Sequence, residues 1–155
     1  MTRTLFYNNK TLSIYIDTNV LRNFFTEQKS DVECLKYIFS VRRKEKLFTS
    51  TFAVGQVLSG LQKSTKNRQG FSHEKTVDTR KSISQKITLI DFAEKDMYNS
   101  LLLDNKDVED SIHYYLSQKK QCNIIITNDT KGFSNFYSIL ALKPSQLSYL
   151  RNLIG

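Results

Sequence analysis

The stretch NIIIT, residues 123–127, decides the fold. Three consecutive isoleucines between polar residues suit a strand covered on both faces, the setting of a parallel sheet. Working outward, residues 12–17 (LSIYID) read as a second such strand, Ile-rich and closing on a carboxylate. Residues 47–49 and 87–90 (ITLI) read as short strands and 138–142 as a weaker last one. Between them apolar residues recur at helical spacing. Thr18 or Asn19 can cap a helix carrying Val20, Leu21, Phe24 and Phe25, and Val32, Leu35 and Phe39 mark another over 31–44. Ser50 or Thr51 can cap a helix with Val54, Val57, Leu58 and Leu61 on one face. Ala93, Met97 and Leu101 predict a further helix; Val108, Ile112, Tyr115 and Leu116 predict the next, with Asp104 and Asp107 spaced as a capping pair. Pro144 suits the first position of a terminal helix bearing Leu147, Leu150 and Ile154. Residues 63–86 are polar and basic and show no sustained apolar face. Strands separated by helices call for parallel pairing through crossovers. The expectation is one α/β domain over residues 1–155, a three-layer α/β/α sandwich with a parallel sheet of four or five strands.

The composition agrees. A chain of 155 residues has the length for one core, hiding roughly 70% of the surface its unfolded form exposes. Ten Phe and eight Tyr supply large buried areas and exclude general disorder. No apolar run nears the roughly 20 residues that span a bilayer. Residues 1–10 lack the apolar core and cleavage site of a secretory signal, so a cytoplasmic protein is expected, with no membrane partner. Cys34 and Cys122 form neither a disulfide framework nor a metal knuckle, and read as reduced, packed thiols. Twenty-three Lys and Arg against 15 Asp and Glu give a net charge of +8, which favours a polyanionic partner without naming it. Lys63, Lys66, Arg68, Lys75, Arg80 and Lys81 form one basic stretch, and Arg42, Arg43, Lys44 and Lys46 another, suited to phosphate contacts.

Several chemistries are set aside. Gly55 and Gly60 have phosphate-loop spacing, but Leu61 and Gln62 stand where that loop needs Lys and Ser or Thr. No nucleophile elbow occurs. His73 and His113 pair with no second imidazole and read as surface or partly buried side chains. What remains is carboxylates at strand ends. Asp17 closes the first strand, and Asp129 follows NIIIT within Thr127-Asn128-Asp129. In an open parallel sheet, ligands bind outside the carboxyl ends of strands where the strand order reverses, and Asp110 can make a third acid there. Such clusters suit Mg²⁺ or Mn²⁺, hard ions that take oxygen ligands. Taken singly, each Asp also reads as a turn or helix-start residue. Periodicity alone puts Asp110 opposite the Val108/Ile112/Leu116 stripe, in solvent.

The run Ile14-Tyr15-Ile16-Asp17-Thr18-Asn19-Val20-Leu21 resembles the opening signature of the PIN-domain family, metal-dependent ribonucleases that include VapC-type toxins. Residues 50–61 resemble its second motif, a capped helix bearing an acid before two aliphatics. Glu109-Asp110-Ser111-Ile112 resembles the third, and residues 124–133 (IIITNDTKGF) the fourth, a buried strand ending in Thr-x-Asp. Residues 139–150 are similar to the closing strand and Pro-started helix. Four motifs in order cover nearly the whole chain.

The resemblance implies a divalent-metal-dependent endoribonuclease, the toxin half of a toxin–antitoxin pair. It implies that Asp17, Asp110 and Asp129 hold Mg²⁺ or Mn²⁺, with Gln56 in the fourth catalytic place and Asn19, Thr127 and Asn128 supporting them. RNA as substrate, a small antitoxin and a homodimer are the partners it implies. Gln56 departs from the pattern, and no Asp or Glu lies between Glu45 and Glu74 to replace it. A Gln oxygen can ligate a hard cation but brings no charge, and a possible general base is lost. The alternative is therefore a non-catalytic PIN-like module that binds RNA or protein.

Overall fold

The computed structural model describes residues 12–154. Residues 1–10, where the absence of a secretory signal was read, lie outside the described residues. In chain order the elements are β1 (Ile14–Ile16), α1 (Thr18–Phe25), α2 (Lys29–Val41), β2 (Leu47–Ser50), α3 (Thr51–Gln62) and α4 (His73–Lys86). Then come β3 (Thr88–Ile90), α5 (Glu94–Leu101), α6 (Val108–Lys119), β4 (Ile124–Ile126), β5 (Leu140–Leu142) and α7 (Leu147–Ile154). Five parallel strands pair in the order β3-β2-β1-β4-β5.

The three isoleucines of β4 show why this is a sandwich. Ile124 and Ile126 join Ile14 and Ile16 of β1 in one core, against Val20 and Leu21 of α1, Leu35 and Ile38 of α2, and Val57 and Leu61 of α3. Ile83 of α4 and Leu150 and Ile154 of α7 complete that layer. Ile125 points the other way with Tyr15, into a core closed by Ile112 and Leu116 of α6 and by Phe133 and Phe136. A fully buried Ile contributes about 2 kcal/mol, so both faces are strongly specified. Cys34 and Cys122 are buried free thiols, as their apolar neighbours suggest. Among the described residues no helix is long and apolar enough to cross a membrane.

Three expectations need correction. The polar segment 63–86 holds a full helix, α4, without an apolar stripe. It starts on a cap, Ser72 Oγ accepting from Lys75 N at 3.1 Å. It buries Thr76, Thr79 and Ile83, and both threonine hydroxyls donate to backbone carbonyls one turn back, Ser72 O and Lys75 O, at 2.8 Å. In α5 the Met97/Leu101 stripe faces outward, 47% and 56% exposed, and the buried positions are Asp96 and Ser100. At the start of α6 only Asp107 caps, accepting from Asp110 N at 3.1 Å, while Val108 is half exposed.

After β1 the chain builds β2 and β3 on one side, then crosses to β4 and β5 on the other. The carboxyl ends of β1 and β4 are therefore neighbours at the point where the order reverses, joined by Asp17 N donating to Ile126 O at 3.0 Å.

Candidate active site

Asp17 leaves β1 and caps α1 in the same step. Its Oδ1 accepts from Thr18 N at 2.7 Å; its Oδ2 accepts from Thr127 Oγ1 at 2.7 Å and Asn19 Nδ2 at 3.2 Å. The residue is buried, so these bonds are needed to hold a charge there. Thr127 Oγ1 also accepts from Asp129 N at 3.0 Å, and Asn19 Oδ1 accepts from Asn128 N at 3.0 Å. The polar residues expected to support the site thus lace the loop after β1 to the loop after β4.

Asp110 occupies the first turn of α6 and is buried, contrary to its place on the helical wheel. The wheel misleads because the turn at 130–133, with Gly132 against Asp110, covers this end of α6. Its Oδ2 is buried without a hydrogen-bond partner. Burial first, and then the fields of Asp107, Asp17, Asp129 and Glu109, push its carboxyl from 3.8 up to about 7. A Cβ on Gly132 would overlap this oxygen and stand 3.3 Å from Asp129 Oδ2, so only glycine leaves room for both carboxylates. Asp129 is itself exposed, its Oδ1 accepting from Gly132 N at 3.3 Å.

Gln56, on α3, reaches the same crevice: its Oε1 accepts from Thr18 Oγ1 at 2.8 Å. The structure therefore brings Asp17, Asp110, Asp129 and Gln56 to one sheet edge, though not onto one point. Among the described residues no group of three or more His, Cys, Asp and Glu side chains is close enough to hold a metal ion. Asp110 and Asp129 share the space beside Gly132, while Asp17 is turned into its own donors.

Two residues of the site escape a reading by sequence. His113, expected to be a surface or partly buried side chain, is 2% exposed. Its Nδ1 lies 2.8 Å from Tyr15 Oη, and its Nε2 lies 3.3 Å from Asp17 Oδ1 and 3.4 Å from Thr18 Oγ1. Burial lowers its pKa against the raising fields of Asp17, Glu109 and Asp107. The signal was present: His113 follows Asp110 by three residues, so the two share a helix face. Asp31, in the first turn of α2, is also buried and accepts from Asn128 Nδ2 at 2.9 Å and Asn23 Nδ2 at 3.4 Å. No pattern in the sequence marks it.

Among the described residues the ion pairs are His113–Asp17 and Lys119–Asp96, so no Lys or Arg of the basic stretches pairs with a carboxylate of this crevice. Arg42, Arg43, Lys44 and Lys46 precede β2, and Lys44 O accepts from Thr88 Oγ1 at the start of β3. Lys63, Lys66 and Arg68 follow α3, and Arg68 and Lys75 border a cavity of about 470 Å³ with Phe25 and Glu27 at the end of α1. Arg42, Arg43, Lys44 and Lys46 lie toward the edge where the strands begin.

The sequence model of the PIN domain matches residues 14–138 of this chain. No curated protein matches it significantly. Among solved structures it is similar to a toxin–antitoxin complex from Klebsiella pneumoniae, at 20% identity and a TM-score of 0.63, over 85% of this chain and 98% of the other. It is similar to the DNA-bound VapBC of Salmonella typhimurium at 12% identity and a TM-score of 0.60, over 86% and 98%. It is also similar to VapC20 of Mycobacterium tuberculosis, a Sarcin-Ricin loop cleaving toxin, at 14% identity and a TM-score of 0.58, over 79% and 95%.

Proposed function

The chain belongs to the PIN-domain family, and from that premise we propose that it is a divalent-metal-dependent endoribonuclease, the toxin of a toxin–antitoxin pair. The observation that carries this reading is Asp110 Oδ2, a buried carboxylate oxygen with no partner, set in the field of Asp17 and Asp129. Such an oxygen is costly unless a proton or a cation meets it. The all-oxygen donor set suits Mg²⁺ or Mn²⁺, which Asp110 and Asp129 would hold, with Asp17 adding charge across the crevice. A bound divalent ion would supply charge neutralisation at the scissile phosphate and a more acidic water. The chain's own groups do the rest. Thr127, Asn19 and Thr18 N fix the Asp17 carboxylate, Asn128 ties the second loop to Asn19 and Asp31, and Gly132 leaves the two acids room.

RNA is the substrate in this reading, supported by the PIN-domain match and the likeness to a Sarcin-Ricin loop cleaving toxin. A small antitoxin is the partner, supported by the likeness to toxin–antitoxin complexes. The apolar side chains that α5 exposes, Met97, Tyr98 and Leu101, suit the homodimer. A cytoplasmic setting fits both partners. The test is cleavage of RNA with Mn²⁺ or Mg²⁺ in the wild type and in Asp110→Asn. Cleavage that requires the metal and disappears in the variant is the expected result; cleavage that survives chelator and the substitution refutes the assignment.

One feature favours a second reading, a non-catalytic module that binds RNA or protein. Gln56 brings no charge, and Asp17 is already met by four protein groups. Metal-independent RNA binding, with no cleavage by the wild type or by Gln56→Glu, selects it.

A further inference from the structure

His113 takes no part in the chemistry above, yet it touches two of the groups that shape the crevice. Its ring sits on the buried face of α6, with Nδ1 against Tyr15 Oη, which in turn lies 2.9 Å from Ser50 Oγ. Nε2 faces Asp17 Oδ1 at 3.3 Å. A carboxylate at that distance requires a proton on Nε2, because a bare nitrogen would set lone pair against lone pair. The same N–H faces Thr18 Oγ1 at 3.4 Å, so that hydroxyl accepts there and turns its own proton to Gln56 Oε1 at 2.8 Å. The orientation of the Gln56 amide follows from the network: oxygen to Thr18, nitrogen away from it. Among the described residues that nitrogen has no hydrogen-bond partner, and it is not among the buried polar atoms left unpaired, so it opens to solvent at the rim of the crevice.

On the reading that RNA occupies this crevice, we propose that His113 is a positioning residue. Its Nε2–H sets Asp17 and, through Thr18, aims the Gln56 carboxamide so that the NH₂ donates to a non-bridging oxygen of the bound phosphate. Where a glutamate would present an acceptor, this chain presents a donor to an anion, a charge-assisted bond. Gln56 then belongs to substrate binding, and its lack of charge is no defect at that position.

The experiment uses the ¹⁵N-labelled full chain in EDTA. Long-range ¹H–¹⁵N spectra read the protonation of the imidazole nitrogens, and His73→Gln assigns the two rings. A protonated Nε2 on His113 is expected; an Nδ1–H ring with a bare Nε2 overturns the proposal whatever RNA does. A short single-stranded RNA is then titrated in. The Gln56 side-chain NH₂ signals are expected to shift, and Thr18→Val to abolish the shift and weaken binding roughly ten- to a hundredfold, the scale of one lost hydrogen bond to a charged group. Thr18→Ser, which keeps the hydroxyl, should restore both. Shifts at the Asn19 and Asn128 amides without one at Gln56 overturn the positioning role and leave the nuclease reading standing. No shift at any of the three overturns the positioning role, and cleavage of RNA with Mn²⁺ or Mg²⁺ then decides the nuclease reading separately.

Discussion

Asp110 and Gln56 are the two residues on which the charge of the crevice turns, and each yields a measurement. With its carboxyl raised from 3.8 to about 7, folded Asp110 keeps a proton that the unfolded chain has released between those values. Its contribution to stability is full below about pH 4 and is lost as pH rises through about 7. Urea unfolding in chelator should therefore show stability falling between pH 4.5 and 8 by roughly 1–3 kcal/mol, while Asp110→Asn gives a flatter profile and a more stable protein at pH 8. A wild-type profile as flat as the variant's would mean that Asp110 ionises normally. Gln56→Glu adds a negative charge at the rim beside Asp17. An extra carboxylate about 4 Å from a unit charge adds roughly 1 kcal/mol of attraction in water and roughly 4 near a protein surface, so at this open rim Mn²⁺ affinity measured by calorimetry should rise at least about tenfold. Tight Mn²⁺ binding that is unchanged by the substitution would place Gln56 outside the site.

At the level of elements, α5 separates pattern from packing. Its stripe of Ala93, Met97 and Leu101 looks like a core face, yet the helix docks on α6 through Asp96, which is 1% exposed. Burial works against ionisation of Asp96, but the bond from Ala93 N at 2.8 Å and the ion pair with Lys119 at 3.0 Å outweigh it and lower its pKa. Asp96→Ala should cost about 2–3 kcal/mol in urea unfolding, since it removes the start of the helix and the partner of Lys119. Met97→Ala, at a half-exposed position, should stay within about 0.5 kcal/mol. The reverse order would restore the apolar stripe as the docking face. The same contrast explains what the sequence made legible. Strands such as NIIIT and caps such as Ser50 are local, and both stand where their residues place them. The helix α4 was illegible because two buried threonines, bonded back to their own turn, replace an apolar face. Asp17 and Asp129 were legible because they end strands. The spacing of His113 from Asp110 hinted only at a shared helix face, and nothing marked Asp31, because the Tyr15 and Asn128 they meet lie about 100 residues away in the chain and only the fold joins them.

Across the whole molecule, the net charge of +8 and the carboxylate crevice sit apart. The crevice lies at the ends of β1 and β2, and the four residues of β2, about 13 Å at 3.3 Å per residue, separate it from the edge where that strand begins. Arg42, Arg43, Lys44 and Lys46 stand near the opposite edge, ahead of β2. A separation of that size exceeds the screening length of roughly 8 Å at physiological ionic strength. These cations can then draw RNA toward the molecule when salt is low, but they cannot grip the phosphate being cut. Replacing all four with Ala should leave kcat/KM for RNA within about twofold at 150 mM salt, while at 20 mM the loss should grow to roughly tenfold through slower association. A direct role in holding the substrate predicts something else, since contacts to phosphate persist at both salt concentrations and their loss raises KM in each. Equal, large losses at the two salts would move the RNA track onto the edge where the strands begin, and would require the substrate to wrap from there around α3 to reach Asp110.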